Sequence, residues 1–230
     1  MTLRFEHVSL SIEGRAVIGP ISLSLSERRI GVVGVNGAGK SSFMRLMAGL
    51  VKPDAGRVLL DGADVYADRK AALRGIGVIF QNPDHQILFP TVIEEMAFGL
   101  QQMGADKASA QDQARAVLRD HGRDTWAERN CYTLSGGQRH FLCLMAVLAM
   151  APSMIVFDEP YAGLDIPTSA QLHRAIEALD QQVVMITHDP RLLDGFDRVI
   201  WLDAGNIAQD GPPADVLPVF EREMARRAAC

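Results

Sequence analysis

The sequence predicts an α/β protein with a mostly parallel core sheet, an antiparallel β layer at its amino terminus and an inserted helical lobe. Three observations predict it. Apolar runs at residues 30–33, 154–157 and 183–187, the last ending in Thr187, alternate with helical stretches, the pattern of parallel strands covered on both faces. The first of these runs leads straight into the glycine-rich stretch Gly34-Val35-Asn36-Gly37-Ala38-Gly39-Lys40-Ser41. The chain start alternates instead, as half-exposed antiparallel strands do.

Taken in order, Leu3, Phe5, Val8, Leu10 and Ile12 form the first alternating run, and Ile21, Leu23 and Leu25 the second. Val58, Leu59 and Leu60, the Asp61-Gly62 turn and Val65 predict a hairpin in the same layer. Strand 30–33, the glycine loop and a helix over 41–50 give the strand–loop–helix context that a phosphate loop requires. An apolar strand follows at 76–80. Helices are predicted at Val92–Gln102, 109–121 and 137–150, so the helical lobe spans about 83–150 within one domain of residues 1–230. The core then resumes with strand 154–157, a helix around 170–179, strands 183–187 and 198–202, and the turn Ala204-Gly205-Asn206 into 207–209. A short helix begins after Pro213, and the mixed charges of 221–227 read as a solvated helix end.

Composition bounds the function. At 230 residues with 48% apolar residues, the chain can bury a sizeable core. A net charge of −5 argues against a nucleic-acid partner, which calls for a strongly basic face. Cys131, Cys143 and Cys230 are too few and too scattered for a disulfide framework or a zinc site, and fit a reducing cytoplasm. Cys143 reads as a small buried hydrophobe. No secretory signal is expected, because Arg4 and Glu6 interrupt the start. The apolar run 141–157 is shorter than the roughly 20 residues of a membrane span. Pro152-Ser153 also breaks it, so a buried helix, a turn and a buried strand are predicted there.

The glycine loop carries phosphate chemistry. Successive backbone N–H groups of Gly34, Val35, Asn36, Gly37, Ala38 and Gly39 can face phosphate oxygens, and the following helix adds its dipole. Lys40 supplies a positive charge, the Ser41 hydroxyl suits Mg²⁺, and Ser42 suits the α-phosphate of ATP. The glycine order does not match the dinucleotide fingerprint. A second element, Met154-Ile155-Val156-Phe157-Asp158-Glu159, delivers carboxylates to the carboxyl edge of a buried strand. Asp158 suits Mg²⁺ through water, and Glu159 suits orienting and polarising the attacking water. Leu134-Ser135-Gly136-Gly137-Gln138 opens an apolar helix. Ser135 is a good N-cap, and the glycines permit a phosphate to approach the helix amino terminus.

Phosphate loop, Leu134–Gln138 pentapeptide and Asp158-Glu159, in that order, resemble the ATP-binding-cassette (ABC) ATPases. That resemblance implies an ATPase fuelled by Mg²⁺·ATP. It also implies a head-to-tail dimer, most simply of two copies, in which Leu134, Ser135, Gly136, Gly137 and Gln138 complete the partner's site. Tyr161-Ala162-Gly163-Leu164-Asp165 resembles the family's D-loop, with Tyr161 at a frequent threonine position and Asp165 lining the contact. His188 resembles the switch histidine that contacts the γ-phosphate. Gln81 resembles the Q-loop glutamine that senses Mg²⁺ and water and joins the core to the helical lobe. The family's adenine-stacking aromatic falls at Ile12, which can cover the base but offers no ring. Arg139-His140 departs from the family's more common basic pair.

Phe80-Gln81-Asn82-Pro83-Asp84-His85-Gln86, Phe89-Pro90-Thr91-Val92, Ala97-Phe98-Gly99 and Ala146-Val147-Leu148-Ala149-Met150 are similar to the ATPases of energy-coupling-factor (ECF) importers. Among these, the short members resembled here are the biotin-importer ATPases. The resemblance implies a membrane coupling protein and a substrate-binding membrane protein as partners, with the chain on the inner face of the cell membrane. The competing expectations are the ATPase of a cobalt or nickel importer and a non-transport cassette such as an iron–sulfur assembly ATPase. A regulatory module without turnover sits poorly with Glu159 and His188. DNA-repair and translation cassettes need a long coiled-coil insertion or tandem domains.

Overall fold

A computed structural model describes residues 1–228. In chain order its elements are β1 (Leu3–Ile12), β2 (Arg15–Leu25), β3 (Arg29–Val33), α1 (Lys40–Met47), β4 (Ala55–Leu60) and β5 (Ala63–Asp64). Next come α2 (Arg69–Gly75), β6 (Ile76–Ile79), α3 (Val92–Gln102), α4 (Lys107–Asp120), α5 (Gly136–Ala149) and β7 (Met154–Asp158). The chain closes with α6 (Ile166–Glu177), β8 (Gln182–Ile186), β9 (Arg198–Asp203), β10 (Asn206–Gly211) and α7 (Pro213–Ala228). Two compact units divide it: Met1–Ala72 with the segment from Gln182 onward, and Leu73–Gln181 between them.

The first unit holds an antiparallel sheet of order β2-β1-β4-β5. The buried positions of β1 change parity, from Leu3 and Phe5 to Val8 and Leu10, because a bulge intervenes where His7 takes a φ of 50°. Without that extra residue Val8 and Leu10 would turn to the opposite face. Pro20 is tolerated because β2 is an edge strand. Asp61 and Gly62, at φ 46° and 92°, make the tight β4–β5 turn that the sequence signals. Phe5 stacks on Phe43 of α1 with centroids 4.8 Å apart, fastening the layer to that helix.

In the same unit β3 runs parallel to both β8 and β9, with β10 antiparallel beyond β9. Ile30, Val32, Val33, Val183, Val184, Ile186, Val199 and Ile200 are buried, as strands covered on both faces must be. The Arg198 side chain donates to Asp210 on β10, to the Ser24 carbonyl and to Glu27. The expected short carboxyl-terminal helix and the charged helix end are one element, α7, which packs Phe220 edge-on against Trp201 at 5.6 Å.

The second unit pairs β6 with β7 in parallel. Helix α5 covers them so closely that a Cβ on Gly77 would lie 2.3 Å from Val147. Helices α3, α4 and α5 pack on one another, and Met96, Ala97 and Leu100 of α3, Ala110, Ala114 and Leu118 of α4, and Leu142 and Met145 of α5 are buried. The small alanines let the helices approach. Asp106 caps α4, accepting from the Ala108 and Ser109 N–H groups, which sets its start before the expected residue 109. The run 141–157 is the rest of α5, a break at 150–153 and β7, as expected. Among the described residues no helix is long and apolar enough to cross a membrane. Cys143 is buried, and burial pushes its thiol far above the ordinary range.

Candidate nucleotide site and signature helix

In the first unit the phosphate loop leaves β3 and enters α1. Gly39 N-caps the helix at φ 100°; it brings no capping side chain, and the first turn carries no acidic residue. That leaves the amino terminus disposed toward an anion. Two constraints demand glycine at 39. The positive φ disfavours any side chain, and a Cβ would lie 2.8 Å from the Val17 carbonyl oxygen of β2. Gly37, at φ 82°, has nothing within 4 Å of its Cβ position, so the loop crest is open. The buried Lys40 reaches back across the loop, donating from Nζ to the carbonyls of Gly34 at 2.7 Å and Val35 at 3.2 Å. Ser41 is exposed on the first helical turn, and Ser42 follows it half-buried.

Two further expected residues share that unit. Strand β8 pairs with β3 so that Ile186 stands beside Val32, and the Thr187 N–H donates to the Val32 carbonyl at 3.0 Å. His188 therefore emerges, exposed, at the strand edge from which the phosphate loop departs. Its neighbour Asp189 is gripped by Arg191 at 2.7 Å, and this hydrogen bond holds the carboxyl below the usual range. Ile12 ends β1 and is 46% exposed, so its side chain is available to a ligand. The β2 strand paired with it carries the Val17 carbonyl that abuts Gly39.

The second unit brings Gln81, Asp158 and Glu159 to one place. Ile79 pairs with Phe157 in the parallel β6–β7 ladder, so the segments after both strands leave the same carboxyl edge. Asp158 is buried and Glu159 half-buried. Glu159 takes a φ of 50°, a left-handed conformation that costs a residue with a Cβ about 1–3 kcal/mol. Asp165 N-caps α6, accepting from the Thr168 N–H at 2.9 Å; this cap starts the helix at Ile166, ahead of the expected residue 170.

Leu134–Gln138 enters α5 through a full capping box. The Ser135 hydroxyl accepts from the Gln138 N–H at 3.2 Å, and Gln138 Oε1 accepts from the Ser135 N–H at 2.9 Å. The hydroxyl keeps its own proton for an external acceptor. The glycines are not equivalent. Nothing stands within 4 Å of a Cβ at Gly136, whereas a Cβ at Gly137 would meet Thr168 Cγ2 at 2.3 Å. Gly137 is thus required by packing against α6, and Gly136 is the open one.

Sequence reasoning missed Glu95 of α3. Its buried carboxylate accepts from the Leu88 and Phe89 N–H groups at 2.8 and 2.9 Å, pinning the end of the segment that begins at Gln81. Burial raises its pKa, and the two donors oppose that shift. A glutamate on a predicted helix carries no local sign of such a role.

The family model described as "ABC transporter" matches residues 18–162. The chain belongs to the ABC transporter family. Its fold is the ATP-binding cassette, and its activity class is that of an ABC-type ATPase. The biotin transport ATP-binding protein BioM of Rhodobacter capsulatus is 54% identical over 227 residues, 97% of each chain. BioM of Rhizobium etli is 39% identical over 225 residues, covering 98% of this chain and all of that one. Among solved structures, cbiO1 from Clostridium perfringens, part of the ABC transporter complex cbiONQ, superposes with a TM-score of 0.78. It is 26% identical and covers 98% of this chain and 93% of that chain.

Proposed function

We propose that this chain is the ATP-hydrolysing subunit of an ECF-type importer whose cargo is biotin. The observation that carries the reading is the 54% identity, over 97% of both chains, to a biotin transport ATP-binding protein. With no membrane-crossing helix among the described residues, passage of the cargo falls to other chains. A membrane coupling protein and a substrate-binding membrane protein fill that role, with the cassette on the inner face of the membrane. No nucleic acid takes part.

In this reading the loop N–H groups and Lys40 hold the phosphates of ATP, Ser42 faces the α-phosphate and Ile12 covers the base. The oxygen donors offered, the Ser41 hydroxyl and the Asp158 carboxylate with Gln81, suit Mg²⁺, which prefers few protein ligands beside phosphate and water. When bound there, Mg²⁺ would supply positive charge against the phosphates. Glu159 accepts a proton from the water whose oxygen attacks the γ-phosphorus, and the bridging oxygen leaves with ADP. His188 hydrogen-bonds the γ-phosphate. A second copy, packed head to tail, presents Ser135 and the Gly136-Gly137 backbone to that same phosphate, with Asp165 lining the contact. Closure on two ATP molecules and reopening after hydrolysis would move the membrane partner.

The test is Glu159→Gln in the complex with its membrane proteins. The variant should bind ATP, accumulate as a closed dimer, and lose most ATPase activity and biotin uptake. Hydrolysis at near wild-type rate would remove Glu159 from the role of base. An ATPase that is active yet supports no biotin uptake would remove the cargo assignment.

A further inference from the structure

The two residues after the signature pentapeptide turn back to tie its helix to the segment following β6. His140 is buried, with ring Nδ1 3.1 Å from the Gly136 carbonyl oxygen and Nε2 3.3 Å from the Gln81 carbonyl oxygen. A neutral imidazole has one N–H to donate. Gly136 O lies four residues back along α5, where it also serves the helical ladder. In the tautomer protonated on Nε2, the ring donates to the Gln81 carbonyl.

Arg139 makes a second tie. Its Nη1 donates to the Leu134 carbonyl at 2.9 Å, and its Nε lies 3.0 Å from Asp84 Oδ1 in the turn after Gln81. That N–H is buried and off line for a hydrogen bond, so the contact with Asp84 is ionic only. The half-exposed Asp84 makes it the weaker of the two.

We propose that His140 is a positioning residue, with Arg139 in support. Its ring holds the Gln81 backbone against the first turn of α5, so that the Gln81 segment and Ser135–Gly137 are displaced together. The inference rests on the reading above that Gln81 and the pentapeptide both act in ATP turnover. Neither side chain needs to touch nucleotide to do this.

The test compares His140→Leu, which keeps apolar bulk without a donor, with His140→Gln, whose amide can still donate to Gln81. Hydrogen exchange on the full-length protein should speed up in both 81–88 and 134–138 in His140→Leu, and in neither in His140→Gln. ATPase kcat should fall about tenfold in the leucine variant, the scale of one lost hydrogen bond, with KM for ATP unchanged. The glutamine variant should retain most of wild-type kcat. Exchange that rises in only one segment, or equally in both variants, overturns the proposal. So does a leucine variant with wild-type kcat. If wild type itself does not hydrolyse ATP, the functional reading fails, while the exchange result still decides whether the tie exists.

Discussion

Gly137→Ala isolates a packing constraint hidden inside a motif that reads as purely functional. The added Cβ would stand 2.3 Å from Thr168 Cγ2 and 3.1 Å from its Oγ1. The methyl contact is roughly 1 Å or more short of the 3.5–4.0 Å at which carbon atoms rest. Either α5 or α6 must shift, and overpacking of this kind costs about 1–3 kcal/mol. For a chain of this size that lowers Tm by about 2–12 °C. Thr168→Ser deletes the offending methyl at a cost of about 0.5–1.5 kcal/mol, and leaves the N–H that Asp165 caps. The double variant should therefore be more stable than the sum of the single effects by about 0.5–3 kcal/mol in urea unfolding. Gly136→Ala, with open space around its Cβ, should lose far less stability. Additive effects of the Gly137 and Thr168 changes, or a Gly137→Ala variant as stable as wild type, would refute the reasoning.

Ile12→Tyr adds the ring that the adenine position lacks. Base–aromatic stacking worth about 1–3 kcal/mol should tighten ATP binding by roughly 5- to 150-fold in a nucleotide titration, and unchanged affinity would remove Ile12 from the base contact. Glu95→Gln reads the buried carboxyl. Burial lifts its folded pKa above the usual 4.5, so the native state holds the proton more tightly than the unfolded chain. Its contribution to stability is then present below about pH 4.5 and lost as pH rises through the lifted value. The stability of wild type relative to Glu95→Gln should decline over that window and level off above it in urea unfolding at stepped pH. A difference that grows in favour of wild type would reverse the assigned shift.

What the sequence determined by itself was local. Strand β3, the glycine loop and α1 form one contiguous stretch, so apolar pattern, glycine placement and Lys40-Ser41 state the motif together. The Ser135 N-cap is legible for the same reason, whereas the reciprocal bond from Gln138 that completes a capping box appears in the structure. Parallel strands were legible from their unbroken apolar runs. The tertiary structure decided matters that depend on distant partners. The glycine at 137 answers to Thr168, the carboxylate of Glu95 to two N–H groups of a loop, and His140 to a carbonyl 59 residues away. A bulge at His7, too, moves the buried face of β1, and the sequence marks it only by the three-residue step from Phe5 to Val8. Side-chain type and spacing report what a segment can do alone, whereas these roles arise from backbone groups that only folding brings within reach.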